Sequence, residues 1–252
     1  MRPPERRMGS GMNASLASSS IATASSPALL RSPARLRSVD LAGPAGRLEA
    51  VLNEGAPDAP FAALLCHPHP KGGGNLHNKV VYHAMKAMND PAWGLGAPVL
   101  RFNFRGTGLS AGTHDGQLES EDVLAAMNWL ESEFKRPLLV AGFSFGAAMA
   151  LKAYCSQRPE RFNVRALVAL GLPTQAEGRH YSYKLLSHCP IPKLFLSGDQ
   201  DQYAPTTQLA QVAESAAPPR QLLLIPGGDH FFHNQLEPMQ QALSGWLKEQ
   251  LQ

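Results

Sequence analysis

The chemistry of this chain is most legible around one serine. Gly142-Phe143-Ser144-Phe145-Gly146 follows the apolar run Leu138-Leu139-Val140-Ala141 and precedes the small-residue run Ala147-Ala148-Met149-Ala150-Leu151. The pattern predicts a strand, a sharp turn and a helix, with Ser144 at the apex. Glycines two before and two after the serine let strand and helix meet without a side-chain clash. A serine hydroxyl is a weak nucleophile and needs a base to take its proton. That base is normally a histidine, held in the right tautomer by a carboxylate.

Both partners have candidates further along the chain. Leu194-Phe195-Leu196-Ser197-Gly198-Asp199-Gln200-Asp201 reads as a strand running into Gly-x-x-Asp. Asp201 is the preferred carboxylate, because Asp199 directly after the glycine fits a turn-forming role. Gly227-Gly228-Asp229-His230 follows the apolar run Gln221–Ile225, and His230 lies 29 residues beyond Asp201, room for one helix and one strand. His233 is the competing base but sits further from the strand end. A tetrahedral oxyanion needs backbone N–H donors. Phe145, directly after the nucleophile, is one. The second is expected in the loop His67-Pro68-His69-Pro70-Lys71-Gly72-Gly73-Gly74, where neither proline has an N–H. His69 is the first choice, with Lys71 and Gly72 behind it.

Other readings of these residues are weaker. His67, His69 and His77 lack a cysteine or carboxylate at metal-ligand spacing, so no metal is expected. Gly72-Gly73-Gly74 lacks the Gly-Lys-Ser/Thr ending of a phosphate loop, and Arg105-Gly106-Thr107-Gly108-Leu109-Ser110 lacks the third glycine of a dinucleotide site. No cofactor is expected. Arg105 is read as bracing its turn through a nearby carboxylate.

These side chains need a scaffold. Short strands are predicted at Leu36–Leu41, Leu48–Leu52, Phe61–Cys66, Pro98–Phe104, Leu138–Phe143, Ala166–Leu170, Lys193–Ser197 and Gln221–Ile225. Helices are predicted at Asn75–Met88, Glu119–Phe134, Thr206–Glu214 and Leu236–Leu251, besides the one after Ser144. Glu119, Glu121 and Asp122 at the start of their helix, with Lys135 and Arg136 at its end, suit the helix dipole. Strands alternating with helices imply an α/β fold: a mostly parallel sheet of about eight strands, helices on both faces.

The 252 residues carry a net charge of +3, unevenly spread: residues 1–37 hold six arginines and one acid, and the rest is net negative. The basic balance therefore belongs to the N-terminal stretch, and nucleic acid is not an expected partner. Residues 1–35, rich in Ser, Ala, Arg and Pro, are expected to be a disordered tail, and residues 36–252 a single domain. The tail also has the composition of a targeting segment, although a floppy extension or an early start codon explains it more simply. No run approaches the ~20 apolar residues of a membrane span. Cys66, Cys155 and Cys189 form no even framework and are read as reduced, which places the protein in the cytoplasm.

The motifs occur together and in order: His67-Pro68-His69-Pro70 with Gly72-Gly73, Asn78-Lys79-Val80-Val81, Arg101-Phe102-Asn103-Phe104-Arg105-Gly106, Gly142-Phe143-Ser144-Phe145-Gly146, Asp199-Gln200-Asp201 and His230-Phe231-Phe232. Over roughly residues 37–252 the chain resembles the small bacterial serine hydrolases of the α/β-hydrolase superfamily, described as dienelactone-hydrolase-like or esterase-like. The resemblance implies a Ser144–Asp201–His230 triad, an oxyanion hole after the third strand, and hydrolysis of a small-molecule carboxylic ester through an acyl-enzyme. A peptidase, a thioesterase and a non-catalytic scaffold are the alternatives. Dienelactone hydrolases proper carry a cysteine where this chain has Ser144. Only residues 171–192 separate the sixth strand from the seventh, enough for a short helix around Tyr181–Ser187 and a minimal cap.

Overall fold

The structure, a computed structural model, describes residues 35–92, 95–156, 161–176, 179 and 181–251. The expected disordered tail lies outside the described residues, apart from Arg35. Eight strands form one sheet in the order β1-β2-β4-β3-β5-β6-β7-β8. They are β1 (Leu36–Gly43), β2 (Gly46–Asn53), β3 (Ala62–Cys66), β4 (Val99–Phe102), β5 (Leu138–Phe143), β6 (Val164–Leu170), β7 (Lys193–Gly198) and β8 (Arg220–Ile225). β1 and β2 form an antiparallel hairpin, and β2 also runs antiparallel to β4. Every pairing from β4 across to β8 is parallel.

The helices are α1 (Lys79–Asn89), α2 (Glu119–Phe134), α3 (Phe145–Cys155), α4 (Thr206–Ser215) and α5 (Leu236–Gln250). Strand periodicity divides the core between the two faces of the sheet. Leu64 and Val140 pack with Met127, Met149 and Leu209, under α2, α3 and α4. Their neighbours Leu65 and Ala141 turn the other way and pack with Val81, Met85, Leu243 and Trp246, under α1 and α5. The central strands β3 and β5 are buried along their whole length. Their apolar runs are therefore continuous rather than alternating.

α1 starts later than its apolar spacing predicts. Asn78 Oδ1 accepts from Val80 N at 2.9 Å and caps the helix, while Asn75 Oδ1 accepts from His77 N at 2.9 Å and closes a turn before it. Asparagine competes for local backbone donors and so favours caps and turns over helix interiors. Between β6 and β7 the expected short helix is a 3-10 segment, Lys184–His188.

The cysteines require a correction. Cys155 and Cys189 are joined in a disulfide with their Cα atoms 5.5 Å apart, and Cys66 is free and buried. The bond ties the end of α3 to the residue after the 3-10 segment. Two lone cysteines 34 positions apart give no sequence sign of pairing, because only the fold brings them together. The cysteine argument for a reducing compartment falls with it. No helix among the described residues is long and apolar enough to cross a membrane.

Candidate active site

β5 ends where the chain must reverse into α3, and Ser144 takes the strain. Its backbone has φ 54° and ψ −120°, a conformation L-residues rarely adopt. A Cβ on Gly142 would overlap the backbone of Gly146 and Ala147, and one on Gly146 would overlap the carbonyls of Cys66 and His67. Both glycines are thus required for strand, helix and the loop after β3 to touch. Ser144 N donates to Leu170 O at 2.8 Å, fixing the turn to the end of β6.

Three candidate residues converge here. His230 Nε2 lies 2.9 Å from Ser144 Oγ, and His230 Nδ1 lies 2.8 and 2.9 Å from the two oxygens of Asp201. Asp201 and His230 are each 3% exposed. The carboxylate is well supplied with donors. Ser197 Oγ donates to Oδ2 at 2.9 Å, and the backbone N–H groups of Tyr203 and Ala204 donate to Oδ1 at 2.8 and 3.1 Å. Burial pushes the Asp201 carboxyl upward, but the hydrogen bond and charge of His230, with the Ser197 and Tyr203 bonds, outweigh it and hold it below the ordinary value.

The turns that carry these groups are laced together. Asp199 Oδ1 accepts from Gly227 N at 2.8 Å, and Gln200 N donates to Gly228 O at 2.9 Å. Asp199 therefore shapes its turn and holds the His230 loop beside it. His233 Nδ1 instead contacts Asp229 Oδ2 at 2.6 Å on the exposed side. Around His230 stand the rings of Tyr203, Phe143 and Phe231 at centroid distances of 4.7, 5.1 and 5.1 Å. Gly171, at φ 50°, leaves the space that the rings of Phe143 and His230 occupy.

The loop after β3 is held from several sides. His67 is buried, accepts from Phe104 N through Nε2 at 3.0 Å, and so donates from Nδ1 to Pro68 O at 2.6 Å. Burial pulls its pKa down to about 4, the Pro68 bond opposes this, and His114 and His69 add to the fall. Lys71 N donates to His69 Nδ1 at 3.1 Å and Gly72 N to His69 O at 3.0 Å, so both alternative oxyanion donors are committed within the loop. Further on, Leu76 N donates to Asn103 Oδ1 at 2.8 Å, and Leu76 O accepts from Arg101 at 2.9 Å. His67 and His69 thus spend both ring nitrogens on neighbours, and no group of three metal-binding side chains occurs among the described residues.

Arg105 finds the carboxylate its turn requires. Its guanidinium makes a two-pronged contact with Asp122, with Nη2 at 2.7 Å from Oδ1, and its backbone N donates to Oδ2 at 3.0 Å. Asp122 and Glu119 are fully buried, so these two acids do more than complement the helix dipole. Sequence reasoning missed Ser197, Gly171, His114 and Glu119. A serine at the end of the apolar run Leu194-Phe195-Leu196 was a usable signal for the first.

A polar cavity of about 580 Å³, lined by Thr174, Gln175, Arg179, Tyr181, Gln202 and Tyr203 among others, reaches Tyr203, whose ring packs against His230. The chain from residue 64 to residue 246 matches the family profile described as an alpha/beta hydrolase domain. The chain belongs to the alpha/beta hydrolase family. An uncharacterized protein of Rickettsia prowazekii (strain Madrid E) is 35% identical to this hydrolase over 214 residues, 81% of this chain and 86% of that protein. An alpha-beta serine hydrolase homologue from Coxiella burnetii superposes with a TM-score of 0.74 at 32% identity, covering 84% of this hydrolase and 97% of that chain. The Xanthomonas campestris protein XC6422, described as an α/β serine hydrolase without lid, gives 0.74 at 31% identity, covering 86% and 95%. The resemblance drawn from the six ordered motifs and the mostly parallel eight-stranded sheet both stand.

Proposed function

We propose that this hydrolase cleaves carboxylic esters of small molecules through a covalent acyl-enzyme, without a cofactor, using Ser144, His230 and Asp201. The single observation carrying this reading is the 2.9 Å contact between Ser144 Oγ and His230 Nε2, with Asp201 on the other ring nitrogen. Asp201 accepts from Nδ1–H, which leaves Nε2 unprotonated and able to take the serine proton. Ser144 Oγ attacks the ester carbonyl as its proton moves to His230. The oxyanion is held by Phe145 N–H, at the positive end of α3, and by His69 N–H. Collapse expels the alcohol, which takes the proton from His230. Water, deprotonated by the same imidazole, then releases the acid and restores Ser144.

A fluorophosphonate probe tests the activated serine directly. Labelling should occur in the wild type and disappear in Ser144→Ala, which should fold normally and lose turnover of p-nitrophenyl esters. An unlabelled wild type means a non-catalytic scaffold, and unchanged turnover in Ser144→Ala removes the mechanism. Rates on matched ester, thioester and amide panels decide the leaving group: a faster thioester or amide replaces the ester reading.

A further inference from the structure

A second series of polar contacts runs through the candidate oxyanion loop, from His69 to His114 to Glu119. His69 Nε2 lies 3.2 Å from His114 Nε2, and His114 Nδ1 lies 2.5 Å from Glu119 Oε1. Glu119 sits in the first turn of α2 with no exposed surface, and its Oε1 also accepts from the backbone N–H groups of Asp115 and Gly116 at 3.0 and 3.2 Å. The His114 side chain is 8% exposed. Its ring stands edge-on to those of His69 and Phe145, at 4.6 and 5.4 Å, and the His69 ring is 4.9 Å from Phe145.

The proton positions follow from one backbone donor. Lys71 N–H points at His69 Nδ1, which must therefore be bare. A neutral His69 then carries its proton on Nε2 and donates to His114 Nε2. That atom must be bare in turn, so His114 carries its proton on Nδ1, facing the Glu119 carboxylate. The His114 Nδ1 contact with Glu119 lies outside hydrogen-bond geometry, so the buried carboxylate acts on that ring through its charge.

We propose that Glu119 and His114 are positioning residues for the reaction, a buried relay in which Glu119 sets the His114 ring to accept from His69 and so holds the oxyanion loop against Phe145. This rests on the hydrolase reading above. His69 cannot shift its own proton to Nδ1 without meeting Lys71 N–H. The charges around it favour the neutral His69 ring: burial, the cations Arg179 and Lys71, and His114 bring its pKa down to about 4. Arg179 comes from the connection after β6, Lys71 from the loop itself. His67 couples to both rings, and Asp115 couples to Glu119.

Imidazole nitrogen NMR reads the relay without reference to activity. His69 should appear as the Nε2–H tautomer and His114 as the Nδ1–H tautomer at neutral pH, with assignments from His69→Gln and His114→Gln. Any other pair of tautomers overturns the proposal. Glu119→Gln keeps the shape but turns an amide donor toward His114, so the His114 tautomer should change while His69, set by Lys71 N–H, keeps its own. Its kcat should fall about 10- to 100-fold with KM within about twofold. His114→Leu should lower kcat by a similar factor, again with KM little changed. His114→Gln, which offers His69 an acceptor and Glu119 a donor, should recover part of the rate. If the wild type turns over esters through Ser144 while Glu119→Gln and His114→Leu keep its kcat, the relay fails and the hydrolase reading survives. If the wild type is inactive but the tautomers are as stated, the hydrolase reading fails and the relay remains as a feature of the loop.

Discussion

Ser197 Oγ donates to Asp201 Oδ2 over 2.9 Å, so the carboxylate facing His230 is oriented by the strand that delivers it. With Tyr203 N–H and Ala204 N–H on the other oxygen, Asp201 is held rigidly in its ionised form. Asp201→Asn should lower kcat by on the order of 10⁴, because an amide no longer enforces the tautomer that leaves Nε2 bare. Ser197→Ala removes one support and should cost only about 3- to 10-fold. Steady-state kinetics on a p-nitrophenyl ester checks both values, and equal losses would show that Ser197 does more than orient.

Stability should fall in acid because of His67. Its folded pKa of about 4 lies below the ordinary imidazole value of 6.5, so between those values the unfolded chain binds more protons. Folding is unpenalised above that window and loses stability as pH drops through it, by about 2 kcal/mol at pH 5 from this group. Urea titrations at pH 7 and pH 5 measure the difference. In His67→Gln, which is less stable at pH 7, the gap between the two pH values should narrow.

The disulfide should be worth about 3–4 kcal/mol from the chain entropy of the loop it closes. Thiol alkylation of the denatured, unreduced protein should modify Cys66 only, and prior reduction should expose all three cysteines. The reduced protein and Cys155→Ser should melt at a lower temperature by similar amounts.

Arg179 lines the cavity beside Tyr203, whose ring touches His230, and its charge also reaches His69. Esters carrying a carboxylate near the scissile carbonyl should gain from that cation. Arg179→Ala should cut kcat/KM for such esters about tenfold at low salt and leave neutral esters unchanged, with the gap shrinking as salt rises. Paired charged and neutral esters of equal length provide the comparison.

Much of this arrangement could be read from residue order, for a physical reason. Ser144, Asp201 and His230 each follow an apolar run, and parallel strands deliver their carboxyl ends to one rim of the sheet. The buried strands were plain as continuous apolar runs. The misses came where only three-dimensional proximity creates the interaction. Glu119 reads locally as a dipole partner, yet it meets His114 because the loop ahead of α2 folds back. Cys155 and Cys189 meet only once α3 lies beside the connection after β6. Gly171 carried no signal, since the rings it accommodates belong to residues 28 and 59 positions away.

The bare contact of Gly146 with the Cys66 and His67 carbonyls packs the start of α3, after Ser144, directly against the loop that follows β3. Variation that reshapes substrate choice then has room at Thr174, Gln175, Arg179 and Tyr181, which line the cavity and supply none of the proposed reacting atoms. Exchange of those residues between relatives is a route to new preferences that leaves the bond-breaking machinery intact.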